Sequence, residues 1–249
     1  FGRVPVWIPI SGLVRGELER FVSADRVLSD TWYPVVGGTL QQEADKAPQE
    51  EGDSHPDRPI RVGRHSRDHA TKWPDTPAEL RRVYPGARDM EVYILGGADT
   101  VCGGRVKLPK NWTVYAFDSI EVPTFLEGID VFIHWTRSDY IEEFGRNVAE
   151  AMAYGVPCIL SSDLKPTFGD AALYPAAEDV ETTIRSLAND PQLRSELVAK
   201  GKAFVTENCS ADVASDRMKR LLDWSVSSQG PGQELELTDW PAGNVSEEL

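Results

Sequence analysis

The stretch Glu142-Glu143-Phe144-Gly145-Arg146-Asn147-Val148-Ala149-Glu150-Ala151-Met152-Ala153-Tyr154-Gly155-Val156-Pro157-Cys158-Ile159 decides the fold. A buried strand ends near His134 just ahead of it, and a loop then delivers two carboxylates. Gly145 opens a helix in which the apolar residues Val148, Ala149, Met152 and Ala153 recur at helical spacing. Gly155 stops that helix and Pro157 begins the next strand. A strand, a helix and a second strand in so short a span form the repeating unit of a parallel sheet.

The same alternation runs outward over residues 58–224. Strands are expected at 60–62, 91–95, 113–116, 131–134 and 157–160, with a shorter one near Leu173 and Tyr174. Helices are expected at 77–83, 122–127, 145–154, 179–188, 191–205 and 211–224. The fold class is therefore α/β, a doubly wound, Rossmann-like parallel sheet. Ligands of such sheets sit beyond the carboxyl ends of the strands, so chemistry is sought in the loops after Val62, Leu95, Ala116, His134 and Leu160.

Flanking segments differ in character. Residues 1–35 read as a strand at 4–10, a helix at 13–23 and a short strand at 26–29, a fragment too small to own a core. Residues 36–57 are polar and acidic, with Glu43, Asp45, Glu50, Glu51, Asp53 and Asp57 against Lys46, and read as a linker or surface loop. From Ser225 to Leu249 there are five acids and no base, the composition of a disordered tail.

These segments carry much of the net charge of −14. The acidic balance repels phosphate backbones, which argues against a nucleic-acid partner while leaving room for a local basic site. The 41% of apolar residues is ample for a core, and no apolar run approaches the roughly 18 residues that span a bilayer. Three widely spaced cysteines, Cys102, Cys158 and Cys209, fit reduced thiols and a cytoplasmic setting better than a disulfide framework or a zinc site. The first residues are no signal peptide and lack an initiator Met, which suggests a start inside a longer protein.

The free N–H groups of Gly145, Arg146 and Asn147 at the helix mouth, with the helix dipole, form a site for a phosphate or a polar sugar. Gly145 lets a ligand approach the backbone closely. Glu150 lies more than one turn further in and points back toward the helix start, where it can accept hydrogen bonds from a vicinal diol such as that of a ribose.

This segment resembles the E-x7-E motif of the group 1 (family 4) glycosyltransferases, in which an E-x-F-G loop precedes E-A-M-A-x-G-x-P. Glu142 and Glu150 occupy the two acidic positions, and Phe144, Gly145, Ala151, Met152, Ala153, Gly155 and Pro157 are all in place. The resemblance implies the C-terminal, donor-binding half of a two-domain GT-B architecture. It also implies that Glu142 and the amides of Phe144 and Gly145 hold donor-sugar hydroxyls while Glu150 holds the nucleotide ribose.

Upstream, Val62-Gly63-Arg64-His65-Ser66-Arg67-Asp68-His69-Ala70-Thr71-Lys72-Trp73 looks like the same family's G-R-x(n)-K-G loop, which maps Arg64 and Lys72 onto its diphosphate-binding pair. Cations there stabilise the charge that grows on a departing diphosphate. The loop is longer than the common version and Trp73 replaces a Gly, so Arg67 is a candidate to share or take over the arginine role. Gly63 is placed with the donor contacts.

Weaker features complete the pocket. Phe117 and Asp118 stand where the family presents backbone groups to the base, without its Gly. His134 and Arg137 precede the acidic loop. His65 and His69 lack a third ligand, no D-x-D pair is present, and no metal or tightly bound cofactor is expected.

By resemblance, the parent enzyme transfers a sugar from a nucleotide diphosphate donor to a hydroxyl of a glycan, lipid-linked or small-molecule acceptor, with retention at the anomeric carbon. The expected setting is cytoplasmic, or peripheral to a membrane in a longer parent. The first 35 residues resemble the end of the acceptor domain, most of which is then missing, so little activity is expected of this chain alone. The alternatives are a nucleotide-sugar epimerase of the same architecture and a catalytically silent scaffold. A dinucleotide-dependent oxidoreductase is disfavoured, because Gly63-Arg64-His65-Ser66-Arg67 is no G-x-G-x-x-G turn.

Overall fold

A computed structural model of the chain describes residues 5–36, 58–102 and 109–227. The expected linker beyond Val36 and the tail beyond Ser227 lie outside the described residues.

Five strands form one sheet: β1 (Ile60–His65), β2 (Met90–Leu95), β3 (Trp112–Tyr115), β4 (Val131–His134) and β5 (Cys158–Leu160). Their order is β3-β2-β1-β4-β5 and every pairing is parallel. The expected α/β, doubly wound fold is thus the observed one. The strand order reverses between β1 and β4, and the carboxyl ends of the strands at such a reversal are where sheets of this kind place their ligand crevice.

Burial explains why such short strands hold. β4 and β5 are buried along their whole length. Val131, Ile133 and Ile159 join the apolar cluster on one face, together with Val62, Val92 and Ile94. Phe132, Cys158 and Leu160 join the cluster on the other. A period of two between two apolar layers is what a strand covered on both faces requires.

The helices that cover the sheet start where capping chemistry allows. In α2 (Pro77–Val83), Thr76 accepts a hydrogen bond from the Glu79 amide at 3.1 Å, and Pro77 takes the first helical position. The helix of the quoted motif, α5 (Arg146–Ala153), packs against the long α8 (Pro191–Cys209), where Met152 lies against Gly201. Between them run α3 (Asp99–Cys102), α4 (Val122–Glu127), α6 (Lys165–Phe168) and α7 (Val180–Asn189), and α9 (Ala211–Ser227) follows.

The amino-terminal segment forms α1 (Gly12–Phe21), but its two expected strands reduce to a single parallel bridge between Trp7 and Val27. Pro5 and Pro9 lack an amide hydrogen and cannot extend the ladder. The expected strand near Leu173 is likewise one bridge, to Ile159. The segment packs onto the α/β unit: the Leu13 amide donates to Thr167 at 3.3 Å, the Val36 amide to the Cys209 carbonyl at 2.9 Å, and Arg220 on α9 to Asp30 at 2.8 Å. Among the described residues no helix is long and apolar enough to cross a membrane, and Cys158 and Cys209 are free and buried.

Candidate functional site

The loops after β1 and β4 flank the crevice and are stitched together. The Arg137 amide donates to the Thr71 carbonyl at 3.1 Å, Ser138 to Asp75 at 3.2 Å, and the Trp135 indole to Glu79 at 3.2 Å. This stitching brings Lys72 and Glu142, which lie seventy residues apart, into a direct ion pair. Lys72 also donates to the Tyr140 hydroxyl at 3.1 Å and lies 4.5 Å from the centre of that ring.

Glu142 is held by a second donor. His134 Nε2 lies 3.1 Å from the same carboxylate oxygen that Lys72 meets. Burial pushes the Glu142 pKa up, but the His134 hydrogen bond and Lys72 outweigh it and bring it down to about 2. Glu142 is therefore a carboxylate at any physiological pH, suited to accepting hydrogen bonds and unsuited to carrying a proton.

Gly145 turns the chain into α5 with φ of 78°, a left-handed conformation that favours glycine. No side chain caps the helix start, so its mouth presents backbone amides at the foot of the crevice. The Phe144 side chain is buried in the core against Tyr33 and Phe168, which leaves only its backbone for a ligand.

Glu150 points toward β1. Its carboxylate accepts from Arg146 at 2.9 Å and lies 3.2 Å from His65 Nε2, off the line of a hydrogen bond. Burial raises its pKa, and His65 with Arg146 more than reverse the effect, so it too is ionised. The Arg146 side chain is mostly exposed.

Two expected donor contacts are corrected. The Arg64 side chain is fully buried: its guanidinium stacks 3.6 Å from the centre of the Trp73 ring and donates to the Lys72 carbonyl at 2.7 Å. Trp73 itself is stacked on Trp112 at 6.3 Å, edges against Tyr84 at 5.9 Å, and is tied through its indole N–H to Asp68 at 2.9 Å. Arg64 therefore fixes the lysine's backbone from behind and does not line the crevice. Gly63 is also internal, since a Cβ there would come within 2.3 Å of Ile129 Cδ1. Its need for glycine is a packing need.

Arg67 is exposed, on the same loop as Lys72. His69 caps the short turn Ala70–Lys72 through Thr71, so it and His65 serve different ends. Phe117, 68% exposed, and Asp118, with φ of 61°, form the turn beyond β3. Asp is among the residues that tolerate this conformation in place of glycine. Tyr140 and the side chain of Asn147 belong to the site although no pattern singles them out. Asn147 donates to the His65 carbonyl at 2.7 Å and to His134 Nδ1 at 3.0 Å.

Residues 105–171, which include β3, β4, the acidic loop and α5, match the family model described as "Glycosyl transferases group 1". No curated protein matches the chain in sequence. Solved structures match it in fold. Anabaena HepE, solved with UDP and glucose, aligns over 88% of this chain and 63% of its own at 16% identity and a TM-score of 0.67. A glycosyltransferase from Rickettsia africae aligns over 91% and 64% at 13% identity and 0.67. Sucrose-phosphate synthase from Thermosynechococcus elongatus aligns over 89% and 58% at 17% identity and 0.63. At such identities the likeness is one of fold, and this chain spans less than two thirds of each neighbour's length.

Proposed function

We propose that the chain is the donor-binding half of a retaining glycosyltransferase that moves a sugar from a nucleotide diphosphate to an acceptor hydroxyl. The observation that carries this is the meeting of Lys72 and Glu142 at the uncapped mouth of α5, in the crevice where the strand order reverses. The match of residues 105–171 to the group 1 family supports it independently.

In this reading the donor diphosphate lies along the loop after β1, where Lys72 and the exposed Arg67 meet its charge. Arg64 acts only through the Lys72 carbonyl. The sugar hydroxyls donate to Glu142 and lie against the amides of Phe144 and Gly145. The ribose diol donates to Glu150, and the base rests at the Phe117 turn. No tightly bound metal is invoked, because Lys72 and the helix mouth supply the positive field.

Chemically, the bond from the anomeric carbon to the diphosphate oxygen breaks and the acceptor oxygen bonds to that carbon on the same face. The acceptor's proton passes to the departing diphosphate oxygen. Lys72 meets negative charge that is larger in the transition state than in the ground state, which is the condition for catalysis rather than mere binding. Glu142, ionised and pinned, positions the sugar. The acceptor, a hydroxyl on a glycan, a lipid-linked sugar or a small molecule, would be held by a second domain beyond the residues of this chain.

Calorimetric titration with UDP and with GDP tests the reading. UDP is the first choice, given the ligand of the Anabaena neighbour. Binding of one of them, weakened in Glu150→Ala, is expected. Absence of binding by both, or undiminished affinity in the variant, sinks it.

A further inference from the structure

The side chain of Asn147 settles a question of proton placement. Its amide nitrogen lies 2.7 Å from the His65 backbone carbonyl, which can only accept. Turning the amide over would set two oxygens against each other, so the nitrogen must face that carbonyl. The same nitrogen lies 3.0 Å from His134 Nδ1. An amide nitrogen has hydrogens to give and no lone pair to offer, so Nδ1 must be the acceptor and the ring hydrogen must sit on Nε2. His134 is 1% exposed, so no bulk water competes for either nitrogen.

We propose that His134 is a positioning residue, locked by Asn147 as the neutral Nε2–H tautomer, and that it holds Glu142 in place for the donor sugar when Lys72 turns to the diphosphate. Nε2 donates to Glu142 Oε2, the oxygen that Lys72 also meets, while Oε1 has no partner among the described residues. A lysine shared between a carboxylate and an incoming phosphate would leave that carboxylate loose. With His134 in place, one donor stays on Oε2 and Oε1 keeps its direction for a sugar hydroxyl. Burial pushes the His134 pKa down, which agrees with a neutral ring. The role toward a sugar rests on the proposed function; the lock itself does not.

Two measurements separate these parts. A long-range 1H–15N correlation spectrum of the labelled chain reads the tautomer: a protonated Nε2 and a bare Nδ1 are expected for His134. A protonated Nδ1 in the unmodified chain overturns the lock. UDP and UDP-glucose are then titrated, with GDP and GDP-mannose as a second pair. Asn147→Leu, which removes the donor that holds Nδ1, and His134→Asn are expected to weaken the nucleotide sugar about tenfold relative to its nucleoside diphosphate, the loss of one hydrogen bond to a charged group. His134→Gln, whose amide nitrogen can take the place of Nε2, recovers most of that difference. An unchanged ratio in both weakened variants overturns the positioning role. If the unmodified chain binds neither ligand of either pair, the proposed function falls and the spectrum alone decides the lock.

Discussion

Lys72 and Glu142 are joined in an ion pair across the point where the strand order of the sheet reverses, Lys72 from the loop after β1 and Glu142 from the loop after β4. Both side chains are mostly buried, and each has a further partner, Tyr140 for the lysine and His134 for the glutamate. The pair marks the crevice and ties the two loops that form it.

Lys72→Met tests the lysine on both counts. Removal of the cation leaves a mostly buried carboxylate with His134 alone, and thermal unfolding is expected to show a loss on the order of 2 kcal/mol. UDP or GDP affinity, whichever the unmodified chain binds, is expected to fall at least tenfold. A variant that binds the nucleotide as well as the unmodified chain would remove Lys72 from the diphosphate site.

Glu142→Gln gives a pH signature. The folded-state pKa of about 2 lies below the ordinary 4.5, so the carboxylate's contribution is fully present above the unfolded value and is lost as pH falls toward the folded one. Denaturant unfolding from pH 7 down to pH 3 is expected to show the unmodified chain more stable by about 2 kcal/mol at neutral pH. The gap should narrow steadily below pH 4.5. A gap that is constant with pH would mean that the pair contributes nothing through ionisation.

Arg64 and Arg67 are expected to separate stability from binding. Arg64→Lys replaces a planar fork that both stacks and donates with a point charge that cannot do both, so unfolding should be easier by about 1–3 kcal/mol. Arg67→Ala, at an exposed position, should leave the melting temperature within about a degree and weaken nucleotide diphosphate binding. The opposite pattern, with Arg64→Lys fully stable but unable to bind, would return Arg64 to the phosphate site.

The difference between what the sequence foretells and what the structure adds follows the range of the forces involved. Gly145, the apolar spacing from Val148 to Ala153, Gly155 and Pro157 act within one strand-helix-strand unit, so the position of Glu142 and Glu150 at one helix mouth is legible from the chain alone. β1 runs three residues beyond its expected end, through Gly63, Arg64 and His65, because β2 pairs along the whole of a stretch that by itself reads as a loop. The burial of Arg64 depends on Trp73, Tyr84 and Trp112, which come together only in three dimensions. The same holds for Asn147 and His134, whose contact is set by the packing of α5 against the end of β4.

Trp73→Gly puts a glycine at this place in the loop and tests what the tryptophan does there. Trp73 is buried, and its ring is the surface on which the Arg64 cation lies. Removing it leaves a cavity beside Tyr84 and Trp112 and strips a buried guanidinium of its stacked partner, so a loss on the order of 4 kcal/mol is expected in denaturant unfolding. In a loop with glycine an arginine at the Arg64 position can turn outward, and the variant that survives should show a more accessible Arg64, read by its reactivity toward a dicarbonyl reagent. UDP should then protect that arginine if the crevice is the diphosphate site. A variant as stable as the unmodified chain, with Arg64 still unreactive, would mean that the tryptophan is incidental and that another force keeps the arginine inside.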